Sequence, residues 1–211
     1  MKTVVQCDFD GTVTTEDASY FLLDAFAQGD WRAVLREYEQ DKITVGEFNS
    51  RVFSMVAADE RTLVETVRQK VQLRPGLQEL TDYCCSHGLR LVIVSNGLEF
   101  YIHALLAQAN LRDVEVHAAQ ACFDPDGVKV SYVGPDGSHV DNGLKETYVQ
   151  RFLSQGYRVV YVGNGRSDRA AARQAHEIFA TEELLDFCRQ EQLRCHPFID
   201  LTDVVRGLRT L

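Results

Sequence analysis

Residues 3–12 read TVVQCDFDGT, an apolar run of strand length that gives way at once to two acids and a glycine. The same abrupt change occurs after residues 91–94 (LVIV), which lead into SNG, and after residues 159–162 (VVYV), which lead into GNG. Near-continuous runs of valine, isoleucine and leucine indicate strands buried on both faces, as in a parallel sheet covered by helices. Because ligands of such sheets bind at the carboxyl ends of the strands, we expect the three polar segments to meet at one edge.

Helical patterns lie between these strands. Residues 76–85 (GLQELTDYCC) and 144–153 (LKETYVQRFL) repeat apolar side chains at intervals of three and four, and each leads through a glycine-bearing turn into a strand. The alternation of strand and helix predicts an α/β fold, with a doubly wound parallel sheet and a Rossmann-like core.

The stretch that follows the first strand has a different pattern. Residues 15–72 contain no convincing strand, and their apolar residues fall at helical spacing. A connection of this length far exceeds what a strand-to-helix crossover requires. We therefore expect residues 1–14 and 73–211 to form the α/β core, and residues 15–72 to form an inserted helical cap. The alternative is that these helices simply pack on the sheet.

The composition excludes several classes of protein. The 211 residues carry 22 Lys and Arg against 31 Asp and Glu, a formal net charge of −9. Such a chain repels nucleic acid and anionic lipid surfaces, so an anionic substrate must be met by locally placed cations or a metal. No apolar stretch approaches the roughly 18 to 20 residues of a membrane span, and no signal peptide opens the sequence. The six cysteines have no metal-binding spacing, so we expect reduced thiols and a cytoplasmic protein.

Two carboxylates, Asp8 and Asp10, follow the first strand. Their side chains can both reach a site above the sheet edge once the loop turns at Gly11. One carboxylate can then act as a nucleophile while the other moves a proton, provided that their environments push the two pKa values apart. A solvated Asp-Gly turn is the alternative, but the position directly after a buried strand favours a catalytic role.

Four segments, taken in order, resemble the motifs of haloacid dehalogenase superfamily hydrolases. They are residues 8–14 (DFDGTVT), 94–97 (VSNG), Lys145 and 163–168 (GNGRSD). A helical cap between the first two motifs is similar to that of phosphoserine phosphatase-like members. In finer detail, residues 95–102 (SNGLEFYI) and 167–171 (SDRAA) look most like the branch that contains 2-hydroxy-3-keto-5-methylthiopentenyl-1-phosphate phosphatase of methionine salvage.

The resemblance implies a Mg²⁺-dependent phosphatase, with a role for each motif residue. Asp8 would attack phosphorus to form an aspartyl phosphate, while Asp10 would protonate the leaving alkoxide and then activate the hydrolytic water. The phosphoryl oxygens would be held by Thr12, Ser95, Asn96, Gly97 and Lys145. The Mg²⁺ ligands would come from Asp8, Asp10, Asn164 and Asp168.

At Asn164 the sequence departs from the pattern, because the family usually has an aspartate at this metal-binding position. An amide oxygen brings a dipole in place of a charge, so the affinity for the metal should fall. Three explanations compete: a weakened but real magnesium dependence, a catalytically silent phosphate-binding relative, or metal-free chemistry like that of the dehalogenase branch. Asp10 argues against the third, since the displacement of a halide leaves no alkoxide to protonate.

Substrate selection is expected in the cap, because the core handles only the phosphoryl group. Asp17 and Arg51 are the candidates to face the cleft from there, unless they form a surface ion pair. Apolar residues around Arg51 favour a phosphorylated keto-enol of methionine salvage over phosphoserine, whose ammonium and carboxylate need an acid and a base side by side. Asp17 with Arg51 could also serve phosphoserine in this way, and apolar residues at helical spacing are more often core than pocket. We expect a small phosphorylated metabolite as the partner, no nucleic acid or membrane, and a monomer or homodimer.

Overall fold

The computed structural model describes residues 2–124 and 127–211. In this part of the chain a seven-stranded sheet is formed by β1 (Thr3–Cys7), β2 (Arg90–Leu98), β3 (Glu115–Asp124), β4 (Gly127–Ser131), β5 (Arg158–Gly163), β6 (Glu177–Ala180) and β7 (His196–Pro197). The strand order is β4-β3-β2-β1-β5-β6-β7, and every pair except β3 with β4 is parallel. The predicted α/β fold with a doubly wound parallel sheet is therefore confirmed.

Helices connect the strands. They are α1 (Ala18–Phe26), α2 (Trp31–Glu39), α3 (Val45–Phe53), α4 (Glu60–Lys70), α5 (Leu77–Ser86), α6 (Glu99–Gln108), α7 (Leu144–Ser154), α8 (Arg169–Ala172), α9 (Glu182–Gln190) and α10 (Leu201–Leu208). The central strands carry side chains that are buried on both faces, such as Val4 with Val5 and Val159 with Val160. No helix in the described residues is both long and apolar enough to cross a membrane.

The register of the central strands brings the polar segments to one edge. Cys7, the last residue of β1, is aligned with Ile93 of β2 and with Val162 of β5. Residues 95–97 lie within β2 and not after it. The register between β2 and β3 shifts between Val94 and Leu98, so these three residues do not follow the regular pairing of the two strands.

The helices α1 to α4 occupy residues 18–70, between β1 and α5. The chain leaves and re-enters the core at adjacent points, since Thr14 forms an antiparallel bridge with Leu73 and the Thr15 N–H donates to the Gln72 carbonyl at 3.0 Å. Each helix begins at a side-chain cap, and Thr44 with Glu47 forms a reciprocal capping box on α3. α4 packs against α6 of the core, and α3 packs against β4.

Candidate active site

A cavity of about 430 Å³ lies at the carboxyl ends of the central strands. We call its core side the floor, which comprises Asp8, Asp10, Gly11, Ser95, Asn96, Gly97, Lys145 and Asn164. We call its opposite side the wall, which comprises the lining residues between positions 15 and 49: Thr15, Glu16, Asp17, Ser19, Tyr20, Leu35, Tyr38, Glu39, Val45, Phe48 and Asn49. The floor is charged and polar, whereas the wall combines aromatic and aliphatic side chains with three acids and, among these described residues, no cation.

Lys145 is the centre of the floor and is only 2% exposed. Its ammonium nitrogen lies 2.8 Å from the Asp8 Oδ1 atom and 2.7 Å from the Asp168 Oδ1 atom, and it also donates to the Ser167 hydroxyl. Burial alone would lower the pKa of Lys145, but the carboxylates of Asp168 and Asp8 outweigh it and raise that pKa above its usual value. The lysine therefore stays cationic where an anionic group would bind.

Asp8 is the buried carboxylate beside this cation. Its burial and the nearby charge of Asp168 raise the pKa of Asp8 to about 7, and Lys145 counteracts part of this rise. The position of Asp8 is fixed by the backbone, because its N–H donates to the Val162 carbonyl at 2.9 Å. A carboxylate held at the floor of a cavity beside a lysine is placed to act as a nucleophile toward a bound anion.

Asp168 is fully buried and uses both of its carboxylate oxygens. Oδ1 accepts from Lys145 and from the Tyr161 hydroxyl at 2.6 Å, while Oδ2 accepts from the backbone N–H groups of Asn164 and Gly165 at 3.0 and 2.9 Å. Both carboxylate oxygens of Asp168 are thus engaged within the protein, and its role as a metal ligand stays a prediction. The side chain holds Lys145 and the 163–165 loop in place.

Asp10 accepts one hydrogen bond on each of its carboxylate oxygens. Its Oδ1 atom accepts from the Ala18 N–H at 3.0 Å, and its Oδ2 atom accepts from the hydroxyl of Tyr101 at 2.6 Å. Burial and the charge of Asp17 raise the pKa of Asp10 well above its usual range, which favours a protonated carboxyl that can donate a proton. Tyr101 was not singled out in the sequence, because its contact with Asp10 spans 91 positions of the chain.

Gly97 makes room for this contact. A Cβ atom at position 97 would lie 2.0 Å from the Tyr101 hydroxyl oxygen and 2.3 Å from the Asp10 Oδ2 atom. The Gly97 N–H donates to the buried hydroxyl of Ser95 at 3.0 Å. The Asn96 carbonyl accepts from Asn49 on α3, which ties the motif to the wall.

Two other predicted residues do not reach the cavity. Thr12, predicted to contact phosphate, is fully buried, and its hydroxyl donates to the Asn164 Oδ1 atom at 3.0 Å. Arg51, predicted to face the cleft, forms an ion pair of 2.6 Å with Glu37 and lines a separate cavity of about 310 Å³. Asp17 does line the main cavity, where it also caps α1 by accepting from the Tyr20 N–H.

Two arginines that sequence reasoning gave no role hold the loops around the cavity. Arg74 is buried and donates to the backbone carbonyls of Gly11 and Thr12 at 2.7 and 2.8 Å. Arg166 lines the cavity and links its two sides, because it donates to the Glu39 carbonyl at 2.9 Å and forms an ion pair with Asp41. Arg166 lies within the segment 163–168 (GNGRSD), of which only Asn164 and Asp168 were assigned roles.

The oxygen donors around the floor fit a hard divalent cation. The carboxylate of Asp8 and the side chains of Asn164 and Glu182 line the same cavity, and oxygen is the ligand atom that Mg²⁺ prefers. Within residues 2–124 and 127–211, no group of three His, Cys, Asp or Glu side chains is gathered tightly enough to hold a metal ion. Backbone carbonyls, water and substrate would therefore have to complete the coordination.

Comparisons with known proteins agree with this geometry. Residues 5–173 match the family model of haloacid dehalogenase-like hydrolases, and the chain belongs to that family. The phosphatases of this superfamily generally use Mg²⁺. The chain is similar to the 2-hydroxy-3-keto-5-methylthiopentenyl-1-phosphate phosphatase of Brevibacillus brevis, with 28% identity over 99% of this chain and 96% of the relative. It is also similar to the protein of the same name from Geobacillus kaustophilus, with 26% identity over 100% and 97%.

Solved structures show the same fold. The phosphoserine phosphatase from T. onnurineus superposes with a TM-score of 0.71 at 19% identity and covers 100% of this chain and 96% of that one. A substrate-bound phosphoserine phosphatase superposes with a TM-score of 0.71 at 14% identity, over 98% of both chains. At such identities the likeness concerns the fold alone.

Proposed function

We propose that this chain hydrolyses a small phosphate monoester through an aspartyl phosphate on Asp8. The observation that carries the proposal is the buried carboxylate of Asp8, 2.8 Å from the ammonium of Lys145 at the floor of a cavity. A buried acid with a raised pKa beside a permanent cation is typical of a catalytic centre. The paired Asp10 has the complementary property, since its environment favours the protonated form.

The reaction follows from these two environments. Asp8 attacks phosphorus, the bond from phosphorus to the leaving oxygen breaks, and Asp10 donates its proton to that oxygen. Asp10, now ionised, takes a proton from a water molecule that attacks the phosphoryl group, which releases inorganic phosphate and regenerates Asp8. Lys145 and Ser95 hold the phosphoryl oxygens throughout, so the developing negative charge meets a fixed cation and a hydroxyl donor.

Magnesium fits this scheme as a resident cofactor. We propose that the Asp8 carboxylate and the Asp10 backbone carbonyl hold it, and when bound it would supply positive charge that neutralises the phosphoryl oxygens. The protein's own contribution is to hold Asp8 beside the cation of Lys145, which favours its ionised form, and to keep Asp10 protonated through burial and the charge of Asp17.

We propose that residues 15–72 act as the cap that selects the substrate. The wall it supplies contains a group of apolar side chains, in which Tyr38 stacks on Phe48 with ring centroids 5.4 Å apart. Among the described residues that line the cavity, the cations are Lys145 and Arg166, and Arg166 is engaged by Asp41 and the Glu39 carbonyl. A substrate carboxylate therefore finds acids and no cation among the described residues of the wall, whereas an alkyl or thioether chain finds apolar side chains to contact.

The substrate whose thioether chain suits the apolar side chains of this wall is 2-hydroxy-3-keto-5-methylthiopentenyl 1-phosphate, the compound in the names of the two relatives. Phosphoserine is the alternative, because Asp17 at the cavity could accept its ammonium group. We further propose a cytoplasmic location, on the strength of the reduced cysteines expected from the sequence, and a monomer or homodimer with no nucleic-acid or membrane partner.

The test is phosphate release by the purified protein with Mg²⁺ from three substrates: the keto-enol phosphate, phosphoserine and p-nitrophenyl phosphate. We expect turnover of all three, with kcat/KM highest for the keto-enol phosphate, and none with Asp8→Asn. A preference of about tenfold or more for phosphoserine would overturn the substrate assignment and leave the chemistry intact. No turnover, with inorganic phosphate still bound, would identify a catalytically silent relative.

A further inference from the structure

The amide of Asn164 is oriented by its neighbours. Its Nδ2 atom donates to the Glu182 Oε2 atom at 3.1 Å, and its Oδ1 atom accepts from the Thr12 hydroxyl at 3.0 Å. A carboxylate can only accept hydrogen bonds, so the nitrogen, and not the oxygen, must face Glu182. The amide nitrogen also packs on Gly11, where an added Cβ atom would lie 2.2 Å from it.

Because Asn164 is an amide in this orientation, any anionic oxygen at this edge of the floor has to come from another side chain. Asn164 presents N–H groups toward Gly11 and Glu182, and N–H groups cannot ligate a cation. Glu182 lines the same cavity and brings a full negative charge. Its other oxygen, Oε1, forms a long ion pair of 3.8 Å with the Arg74 guanidinium, and the Glu182 side chain is 55% exposed.

The backbone fixes Glu182 next to the loop that carries Asn164. The Thr181 N–H donates to the Gly163 carbonyl at 3.2 Å, and the Leu184 N–H donates to the Asn164 carbonyl at 2.7 Å. Glu182 itself has a φ of 48°, a left-handed conformation that a residue with a β-carbon adopts at a cost. The start of α9 is therefore held against the floor at a conformational cost.

We propose that Glu182 supplies the anionic oxygen of the divalent-cation site, in the place where Asn164 cannot, and that Asn164 acts as a positioning residue for it. This inference rests on the proposed function, because the cation is the one that the phosphatase would use. It explains how a chain with an amide at position 164 keeps two carboxylates, those of Asp8 and Glu182, on the lining of one cavity.

The test is a titration of the purified full-length protein with Mn²⁺ alone, followed by electron paramagnetic resonance of the free ion. The variants are Glu182→Gln, which keeps the size of the side chain and an acceptor for the Asn164 amide, and Glu183→Gln. Glu183 is the matched control, because it also lines the cavity but its carboxylate pairs with Arg169. Thermal unfolding without metal verifies that each variant is folded.

We expect Glu182→Gln to weaken Mn²⁺ binding by about tenfold or more, and Glu183→Gln by less than about threefold. Adding Asn164→Asp to Glu182→Gln should restore the affinity, since it returns a carboxylate to the same edge. Equal weakening by both glutamine variants, unchanged binding in Glu182→Gln, or no Mn²⁺ binding by the wild-type protein would each overturn the inference. Phosphate release by the wild-type protein, measured separately, tells such a failure apart from a failure of the proposed function.

Discussion

The floor and the wall of the cavity are stabilised by different interactions. Lys145 and Asp8 of the floor are buried together with Asp168, and each charge is compensated by a partner within 2.8 Å. On the wall, Tyr38 and Phe48 contact each other through apolar surface. Buried charges persist only in a complete network, so the floor tolerates little change, whereas apolar surface can be reshaped at small cost. We infer that the floor performs the chemistry and the wall selects the substrate.

The strongest way to break the floor is Asp8→Asn. An amide cannot act as the covalent nucleophile, so we expect turnover to fall by about 10⁴-fold or more on every substrate, irrespective of the leaving group. Phosphate release with the three substrates is the measurement. The control is Asp24→Asn, which removes an exposed carboxylate of α1 that pairs with Arg32 of α2, and it should change turnover little. Loss confined to one substrate would show that Asp8 acts in selection and not in chemistry.

Asp10→Asn tests the residue of the floor that is proposed to transfer the proton. We expect a loss of about 10² to 10⁴-fold with alkyl phosphates, whose leaving oxygen needs a proton. With p-nitrophenyl phosphate, whose leaving group needs none, the first step should survive and the second should stall. A burst of about one p-nitrophenol per active site, followed by slow turnover, is then expected. Stopped-flow absorbance measures it, and slow turnover without a burst would contradict the division of roles between Asp8 and Asp10.

Changing the wall should have a smaller and selective effect. Tyr38→Ala removes an aromatic side chain that lines the cavity and stacks on Phe48. We expect kcat/KM for the keto-enol phosphate to fall about 10- to 30-fold, the usual effect of lost apolar contact with substrate, and that for acetyl phosphate to change less than about threefold. Tyr83→Ala, which removes a ring stacked on His87 of the α5 C-cap, is the control. A parallel loss on both substrates would show that wall and floor are not separable.

The smallest expected effect is the change of Mn²⁺ affinity with pH, which depends on Asp8 of the floor. Because burial and Asp168 raise the pKa of Asp8 to about 7, the metal-free protein holds Asp8 protonated below that pH and ionised above it. A cation binds the ionised form, so raising the pH from about 6 to about 8 should tighten Mn²⁺ binding about tenfold, and binding should release about one proton at the lower pH and almost none at the higher. Calorimetric titrations in buffers of different ionisation enthalpy measure both. In Asp8→Asn this pH dependence should disappear, and its persistence would assign it to another group.

How much the sequence revealed also differs between the two regions. The floor was accessible because Asp8 and Gly163 stand at strand ends that the parallel register aligns, and Ser95 lies two residues beyond the point where β2 is aligned with the end of β1. The alternation of buried strands and helices fixed the fold for the same reason. The ligand roles of Thr12 and Asp168 stay predictions; that both side chains are fully buried and hydrogen-bonded within the protein depends on tertiary packing, which no local pattern reveals.

The wall was harder to predict, because apolar residues at helical spacing serve a core and a pocket equally well. Arg51 illustrates this: its spacing on α3 allowed it to face the cleft, but Glu37 of the neighbouring helix α2 pairs with it elsewhere. The contacts of Tyr101 with Asp10 and of Glu182 with Asn164 join distant parts of the chain, and no local pattern signals them.

The most direct test of the account is to trap the phosphorylated enzyme. The protein is mixed with Mg²⁺ and p-nitrophenyl phosphate, quenched in acid within one turnover, digested and mapped by mass spectrometry. The account predicts that the peptide containing Asp8 gains the mass of one phosphoryl group, more so in Asp10→Asn, and that Asp8→Asn gains none. A phosphoryl group on another residue, or rapid turnover with no modified peptide in either form, would contradict it.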